Sequence, residues 1–399
     1  MRFRTLCDTT LPVTRPHEII DTPAALLHAI QLWRTQPALA VDTESNSFFV
    51  YRERTCLVQV STRDADWIVD PLAVDLKPLG ELLENTAIEK VFHAAEYDIL
   101  SLKRDYGFVF HNLYDTLIAA KAVGRKKVGL GSLLEEVLAT KLAKDEQRSD
   151  WGRRPLTPDQ IEYAFSDTRY LLALADALRL EVSAKGPDII EEVAIDCQRM
   201  TEKEPKPREV NPDAFEKHKT IKAMDPVSRQ ILKHLFEARE LRAQETNKPP
   251  FRVISDEALG EIAVRKPVDR AALAKIPGVT PPVLSRHGDA LWAAVQSGLA
   301  AGPLSFRKKA YTPVNPAEEE LYEALRSWRK AVAEARGVEV DVICGNASLR
   351  VLAQARPTTL EALGATALDT FRVRRYGEAI LHVIQRGTGG TQAPRAATR

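Results

Sequence analysis

A chain of 399 residues is longer than one ordinary hydrophobic core accommodates, so two or three domains are expected. Apolar content of 44% and charged content of 28% are those of a soluble globular protein, and no apolar stretch approaches the length of a membrane span. The net charge of +1 conceals a division, with 24 Lys and Arg against 31 Asp and Glu in residues 1–200 and 32 against 24 in residues 201–399. The basic half suits a polyanion, unless the division is ordinary surface variation. Met1-Arg2-Phe3-Arg4 opens no apolar run of signal-peptide length, and Cys7, Cys56, Cys197 and Cys344 form no CxxC pair. Free thiols in a reducing cytoplasm are therefore expected, with neither a disulfide framework nor a zinc site.

Residues 17–36 read as a helix, with Ala24, Ala25, Leu26, Ala29, Ile30 and Trp33 at helical spacing. Ala38-Leu39-Ala40-Val41 follows, apolar without a break, as in a strand buried on both faces. It ends in Asp42-Thr43-Glu44. Strand alternation puts Asp42 and Glu44 on one side. Two carboxylates at the end of a buried strand need a positive partner, and a divalent cation is the simplest. Strands at 55–61 and 67–70, joined by a turn at 63–66, extend this into an antiparallel meander. A helix near 79–84, a strand at Lys90–His93 and a helix over 96–106 come next. Asp115 reads as the cap of a helix through Ala122, and Gly129 and Gly131 precede another over 133–140. A meander followed by alternating helices and strands is an α/β pattern, a mixed sheet flanked by helices. Thr157-Pro158-Asp159-Gln160 is a helix start with cap, first-turn proline and capping-box Gln, and its apolar stripe runs to Ala175. Tyr163 and Asp167, four apart, share one face of that helix.

Residues 201–212 are polar and proline-rich, as a linker is. Beyond them the sequence repeats with an offset of about 90 residues. Arg239 and Ala243 match Arg329 and Ala333. Leu259, Pro267 and Leu273 match Leu349, Pro357 and Leu363. His287-Gly288 and Gly298 match Tyr376-Gly377 and Gly387, the offset being one shorter there. Each copy is a set of short helices, including Glu257–Val264 and Asp289–Ser297. Arg307-Lys308-Lys309 near Tyr311, and Arg372, Arg374 and Arg375 beside Tyr376, are candidate phosphate contacts or ordinary solvated helix ends.

Asp98 lies just after the 90–93 strand. With Asp42, Glu44 and Asp167 it makes four carboxylates from three segments. Oxygen ligands suit Mg²⁺ or Mn²⁺, and two such ions about 4 Å apart clamp the attacking and leaving oxygens of a phosphodiester. Tyr163 is placed to orient the attacking water.

Asp42-Thr43-Glu44, the Asp98 segment and Tyr163-Ala164-Phe165-Ser166-Asp167, in that order, resemble the three motifs of the DEDD exonuclease superfamily in its tyrosine subclass. Within it the chain is most similar to the ribonuclease D family, whose third motif is preceded by a segment resembling Asp145–Thr157. The resemblance covers roughly residues 17–180. It implies a ribonuclease-H-like α/β exonuclease domain over 1–200, the linker at 201–212, an HRDC domain at 213–302, a connector at 303–316, an HRDC-like domain at 317–388 and a tail at 389–399. These last two domains are all-α helical bundles. It implies two divalent ions, Mg²⁺ or Mn²⁺, on Asp42, Glu44, Asp98 and Asp167, with Tyr163 completing the catalytic set. The implied reaction is hydrolysis of RNA from the 3′ end to nucleoside 5′-monophosphates, with tRNA precursors among the substrates, no membrane and no obligate protein partner. Ser45 departs from the Phe that many family members carry there.

Phe48, Phe49 and Tyr51 are candidates to stack on the terminal base, or to pack their own loop. Arg148, Arg153 and Arg154 are candidate phosphate contacts, or solvated arginines. His93 joins the substrate-binding set, although a hydrogen-bonded histidine beneath the site is the plainer reading. A DNA exonuclease with the same metal chemistry stays open, because the metal site does not see the 2′-hydroxyl. A nucleic-acid-binding scaffold without catalysis is the rival from another class.

Overall fold

The computed structural model describes residues 15–142, 146–305 and 315–386. Met1–Arg4, Cys7, Asp145, the Arg307–Tyr311 cluster, Gly387 and the 389–399 tail lie outside the described residues.

Six strands form the central sheet: β1 (His17–Ile20), β2 (Ala38–Ser45), β3 (Thr55–Ser61), β4 (Asp66–Val69), β5 (Glu89–Phe92) and β6 (Leu113–Asp115). Their spatial order is β1-β4-β3-β2-β5-β6. β3 runs antiparallel to both β2 and β4, the expected meander, while β5 pairs parallel with β2 and β6 parallel with β5. The acidic strand is therefore interior. Residues 17–20, expected as the start of a helix, instead form an edge strand parallel to β4. The helix begins only where Thr22 caps it and Pro23 takes its first position, giving α1 (Pro23–Trp33).

Alternation along β2 divides the domain. Leu39 and Val41 share a core with Val58, Val60, Val69, α1, α2 (Gly80–Glu84) and α3 (Glu96–Tyr106). Ala40 faces the other way. There it packs with Val91 against α4 (Thr116–Ala122), α5 (Leu130–Leu138), α7 (Leu171–Ala184) and α8 (Pro187–Thr201). Leu57 and Ile68 on that second face lie under α6 (Pro158–Arg169). The stripe expected to make one helix to Ala175 is thus two, broken at Tyr170. At the break the Arg169 carbonyl accepts from Arg15 Nη1 at 2.7 Å and the Arg169 side chain donates to Asp66 at 2.8 Å.

Two five-helix bundles follow. The first holds α9 (Pro226–Thr246), α10 (Pro250–Val253), α11 (Asp256–Arg265), α12 (Arg270–Leu273) and α13 (Pro281–Ala300). The second holds α14 (Pro316–Arg336), α15 (Val340–Ile343), α16 (Asn346–Ala355), α17 (Leu360–Gly364) and α18 (Thr370–Arg386). The sequence repeat has a physical basis. Arg239 reaches the Ile254 carbonyl and Asp256, and Arg329 reaches the Cys344 carbonyl and Asn346, the same two bonds in each copy. Each buried guanidinium thereby satisfies an otherwise orphaned carbonyl before the third helix of its bundle.

The second bundle docks on α8. Arg336 makes a bidentate pair with Glu192 at 3.1 and 2.6 Å, and Arg372 makes one with Asp196 at 2.8 and 2.9 Å. Arg374 pairs with Glu191 and Arg375 with Asp188. Arg372, Arg374 and Arg375, read from the sequence as phosphate contacts or as solvated helix ends, are instead ion-paired to α8. Their charge is already answered by α8.

Candidate active site

Asp42 and Glu44 project from the end of β2 on the face covered by α6. A register shift against β3 falls between Glu44 and Ser45, so pairing is irregular where the carboxylates emerge. α6 is placed by its ends. At its start Thr157 Oγ1 accepts the Gln160 amide at 3.2 Å and Gln160 Oε1 accepts the Thr157 amide at 2.9 Å, a reciprocal capping box. Near its end Thr168 meets Ser61 of β3 at 2.7 Å. This sets Asp167 over the end of β2. Asp42, Glu44 and Asp167 each offer an oxygen, and the three oxygens lie within 4.8 Å of one another.

Asp98 arrives from the first turn of α3. Asp115 accepts the amides of Ala94 and Ala95 at 3.0 and 2.9 Å, and also caps α4 through the Leu117 amide at 2.8 Å. One fully buried carboxylate thus fixes two helix starts. Ala94 sits in the left-handed region at φ 60°, which the Asp115 bond holds. Asp98 Oδ1 then accepts from Thr43 Oγ1 at 2.5 Å. Asp98 stands beside the three-carboxylate group rather than within it.

Burial, and then the neighbouring Asp167 charge, push the Asp42 carboxyl well above its ordinary range, against the Thr43 amide that lowers it. Burial and the Asp42 charge do the same to Asp98, opposed by the Thr43 hydroxyl. Crowded carboxylates of this kind are relieved by a cation, and an all-oxygen set is that of a hard divalent ion. Gln59, opposite Asp42 in the β2–β3 register and so beside it on the same face, is fully buried with neither amide atom hydrogen-bonded among the described residues.

The cluster opens into a cleft of about 780 Å³. Tyr163, His93, Phe48 and Arg148 line it, as does Tyr97, which the sequence did not single out. Tyr97 is held by Ser45 Oγ at 2.6 Å, so the residue that departs from the family pattern steadies an aromatic at the mouth. His93 Nδ1 meets Thr116 Oγ1 at 2.9 Å and burial lowers its pKa, which favours a neutral ring. The Tyr163 ring packs 6.0 Å from Trp151. Four expected substrate contacts lie elsewhere, and the first is Tyr51, which is buried in the apolar core of the first bundle rather than offered to a base. Arg154 is turned inward, donating to Asp70 at 2.5 and 2.7 Å and to the carbonyls of Cys56 and Trp151, so its guanidinium is committed to the domain itself. Arg153 is not among the lining residues, and Phe49 lies under the Arg252 guanidinium at 4.1 Å. Nothing in the sequence near Arg154 signals Asp70, which is 84 positions away.

The family model described as 3′-5′ exonuclease matches residues 17–183, and the HRDC domain model matches 228–295 and 318–384. Ribonuclease D of Nitrobacter hamburgensis is 31% identical over 369 residues, covering 91% of this chain and 94% of the relative. Ribonuclease D of Pseudomonas paraeruginosa is 30% identical, covering 94% and 99%. Among solved structures, Escherichia coli RNase D, described as an exoribonuclease involved in structured RNA processing, aligns with a TM-score of 0.61 at 25% identity over 93% of this chain and 99% of that one. The catalytic core of RRP6 from Trypanosoma brucei gives 0.68 at 25% identity over 73% and 81%.

Proposed function

The chain belongs to the ribonuclease D family and is a 3′→5′ exoribonuclease, and on that premise we propose that it trims structured RNAs such as tRNA precursors with two divalent cations, Mg²⁺ or Mn²⁺. The observation that carries this reading is the convergence of Asp42, Glu44 and Asp167 within 4.8 Å. Asp42, Glu44 and Asp167 would hold one ion, and Asp42 with Asp98 the other. The ions supply charge for the attacking and leaving oxygens. Tyr163 orients the attacking water from one turn before Asp167. Attack at the last phosphodiester breaks the bond to the 3′-oxygen of the penultimate nucleotide. It releases a nucleoside 5′-monophosphate and leaves a new 3′-hydroxyl on the shortened RNA. Phe48, 45% exposed at the cleft, offers its ring to the terminal base, and Arg148 a charge to the backbone.

No helix among the described residues is long and apolar enough to cross a membrane. Cys56, Cys197 and Cys344 are free and buried, which supports action in a reducing cytoplasm. Digestion of 5′-labelled RNA with Mg²⁺, with Mn²⁺ and with chelator tests the reading. The expected result is a ladder shortening from the 3′ end with monophosphate release in both metals and none in chelator. Metal-independent cleavage, or products ending in phosphate, would overturn it.

A further inference from the structure

Between β2 and β3 the chain passes through a loop, residues 46–54, that faces two ways. Its inner side, Ser47 and Phe48, lines the cleft. Its outer side is gripped by three segments of the second half of the chain. Tyr51, only 6% exposed, is part of the apolar core of the first bundle with Phe215 and Ala243. Its hydroxyl donates to Glu240 and accepts from Gln244 Nε2 at 3.1 Å, both on α9. Arg208 of the linker lies over the ring at 3.9 Å and donates to the Tyr51 carbonyl at 2.6 Å. Asn247, the left-handed cap of α9, accepts the Arg52 amide at 3.0 Å, and Arg252 of α10 covers Phe49. The loop is closed at its root by Asn46 Oδ1, which accepts the Arg54 amide at 3.1 Å.

The geometry points to Tyr51 as a positioning residue through which the first helical bundle holds the Phe48 wall of the cleft against the carboxylates, seating the 3′-terminal nucleotide without touching it. The inference rests on the exoribonuclease reading above. A half-exposed aromatic contributes its stacking only if its backbone is ordered before the base arrives, because ordering a loop on binding opposes affinity. Here that ordering is supplied from outside the catalytic domain. Among the described residues Phe48 has no such hydrogen-bonded anchor, whereas Tyr51, three residues on, is held on its ring, its hydroxyl and its carbonyl.

Two measurements on the full chain test this. In steady-state digestion of a single-stranded RNA, Tyr51→Ala should raise KM about tenfold, the scale of one stacking contact, while kcat stays within about twofold. Tyr51→Phe, which keeps the ring and loses only the Glu240 and Gln244 bonds, should raise KM to a smaller extent and covers the case in which the alanine variant fails to fold. In the second, RNA ending in 2-aminopurine is bound with Mg²⁺ to a Tyr163→Phe protein that keeps every carboxylate. Quenching of the terminal base should weaken when Tyr51→Phe or Tyr51→Ala is added. Unchanged KM and quenching in a folded Tyr51 variant would overturn the proposal, as would a loss confined to kcat. Should the wild-type protein release no monophosphates, the activity reading fails, and the quenching comparison still decides the role of Tyr51.

Discussion

Asp115 and Ala94 are joined by a carboxylate-to-amide hydrogen bond of 3.0 Å, and through it the turn before α3 is tied to the start of α4. The position of Asp98 therefore depends on a fully buried residue that does not line the cleft. Asp115→Ala removes an N-cap, worth about 1 kcal/mol, and orphans the buried Ala95 amide, worth about 1–3 kcal/mol. A total loss of about 3 kcal/mol is expected in urea unfolding, together with reduced RNA hydrolysis under conditions where the variant is still folded. A variant as active as wild type would separate the turn from the site.

Asp42→Asn should act oppositely on stability and on rate. It relieves carboxylate crowding, so the metal-free variant should unfold at a higher temperature than metal-free wild type, by about 2–4 °C if the relief is about 1 kcal/mol. Activity should fall by more than the ~100-fold that losing a supporting hydrogen bond to a metal ligand costs. Added Mn²⁺ should raise the Tm of wild type and leave the variant nearly unmoved. Equal metal-induced shifts would remove Asp42 from the ion site.

The arginines that dock the second bundle should not count equally. Arg372 is almost fully enclosed and spans the partly buried Asp196 and Asp369, so Arg372→Ala takes a partner from both carboxylates and should cost up to about 3 kcal/mol, the lower end of the range for breaking a buried pair. Arg374 pairs with Glu191 in the open, and Arg374→Ala should cost far less than Arg372→Ala, and less again in high salt. Chemical denaturation of the two variants side by side gives the comparison, and similar losses would mean that burial is not what grades the interface.

Lys90 is fully buried, with Nζ donating to the Asn85 and Ile88 carbonyls at 2.6 and 2.8 Å, and burial brings its pKa down to about 8. Between that value and the ordinary lysine range, the unfolded chain keeps a proton that the folded chain has shed. Stability of wild type measured against Lys90→Met should therefore rise with pH through this window, the penalty being fully present below pH 8. Denaturation at pH 7, 8.5 and 10 measures it; a constant difference would mean that the carbonyl bonds compensate the desolvation.

Much of the carboxylate cluster was legible because its residues follow local periodicities. Asp42 and Glu44 obey the alternation of a strand, Tyr163 and Asp167 the turn of a helix, and α3 begins and ends where its sequence pattern does. What was not legible depends on distant partners. β1 and β6 are four and three residues long, too short to show a period, and are strands because β4 and β5 pair with them. Arg154 and Arg372 look like any surface arginine until Asp70 and Asp196 are brought to them. Tyr51 reads as a loop aromatic, and only the fold makes it a member of another domain's core.

The duplicated bundles carry a lesson about how like modules take unlike berths. Aligned by their shared internal arginine and by the glycine pair Gly288 and Gly377, the first bundle has Thr246, Val283 and Ser285 where the second has Arg336, Arg372 and Arg374. Neither copy could be exchanged for the other without moving those side chains as well. A chimaera bearing two first-type bundles should assemble its interior and yet leave the acidic ridge of α8 bare, whereas grafting the three arginines should send that bundle to the second berth.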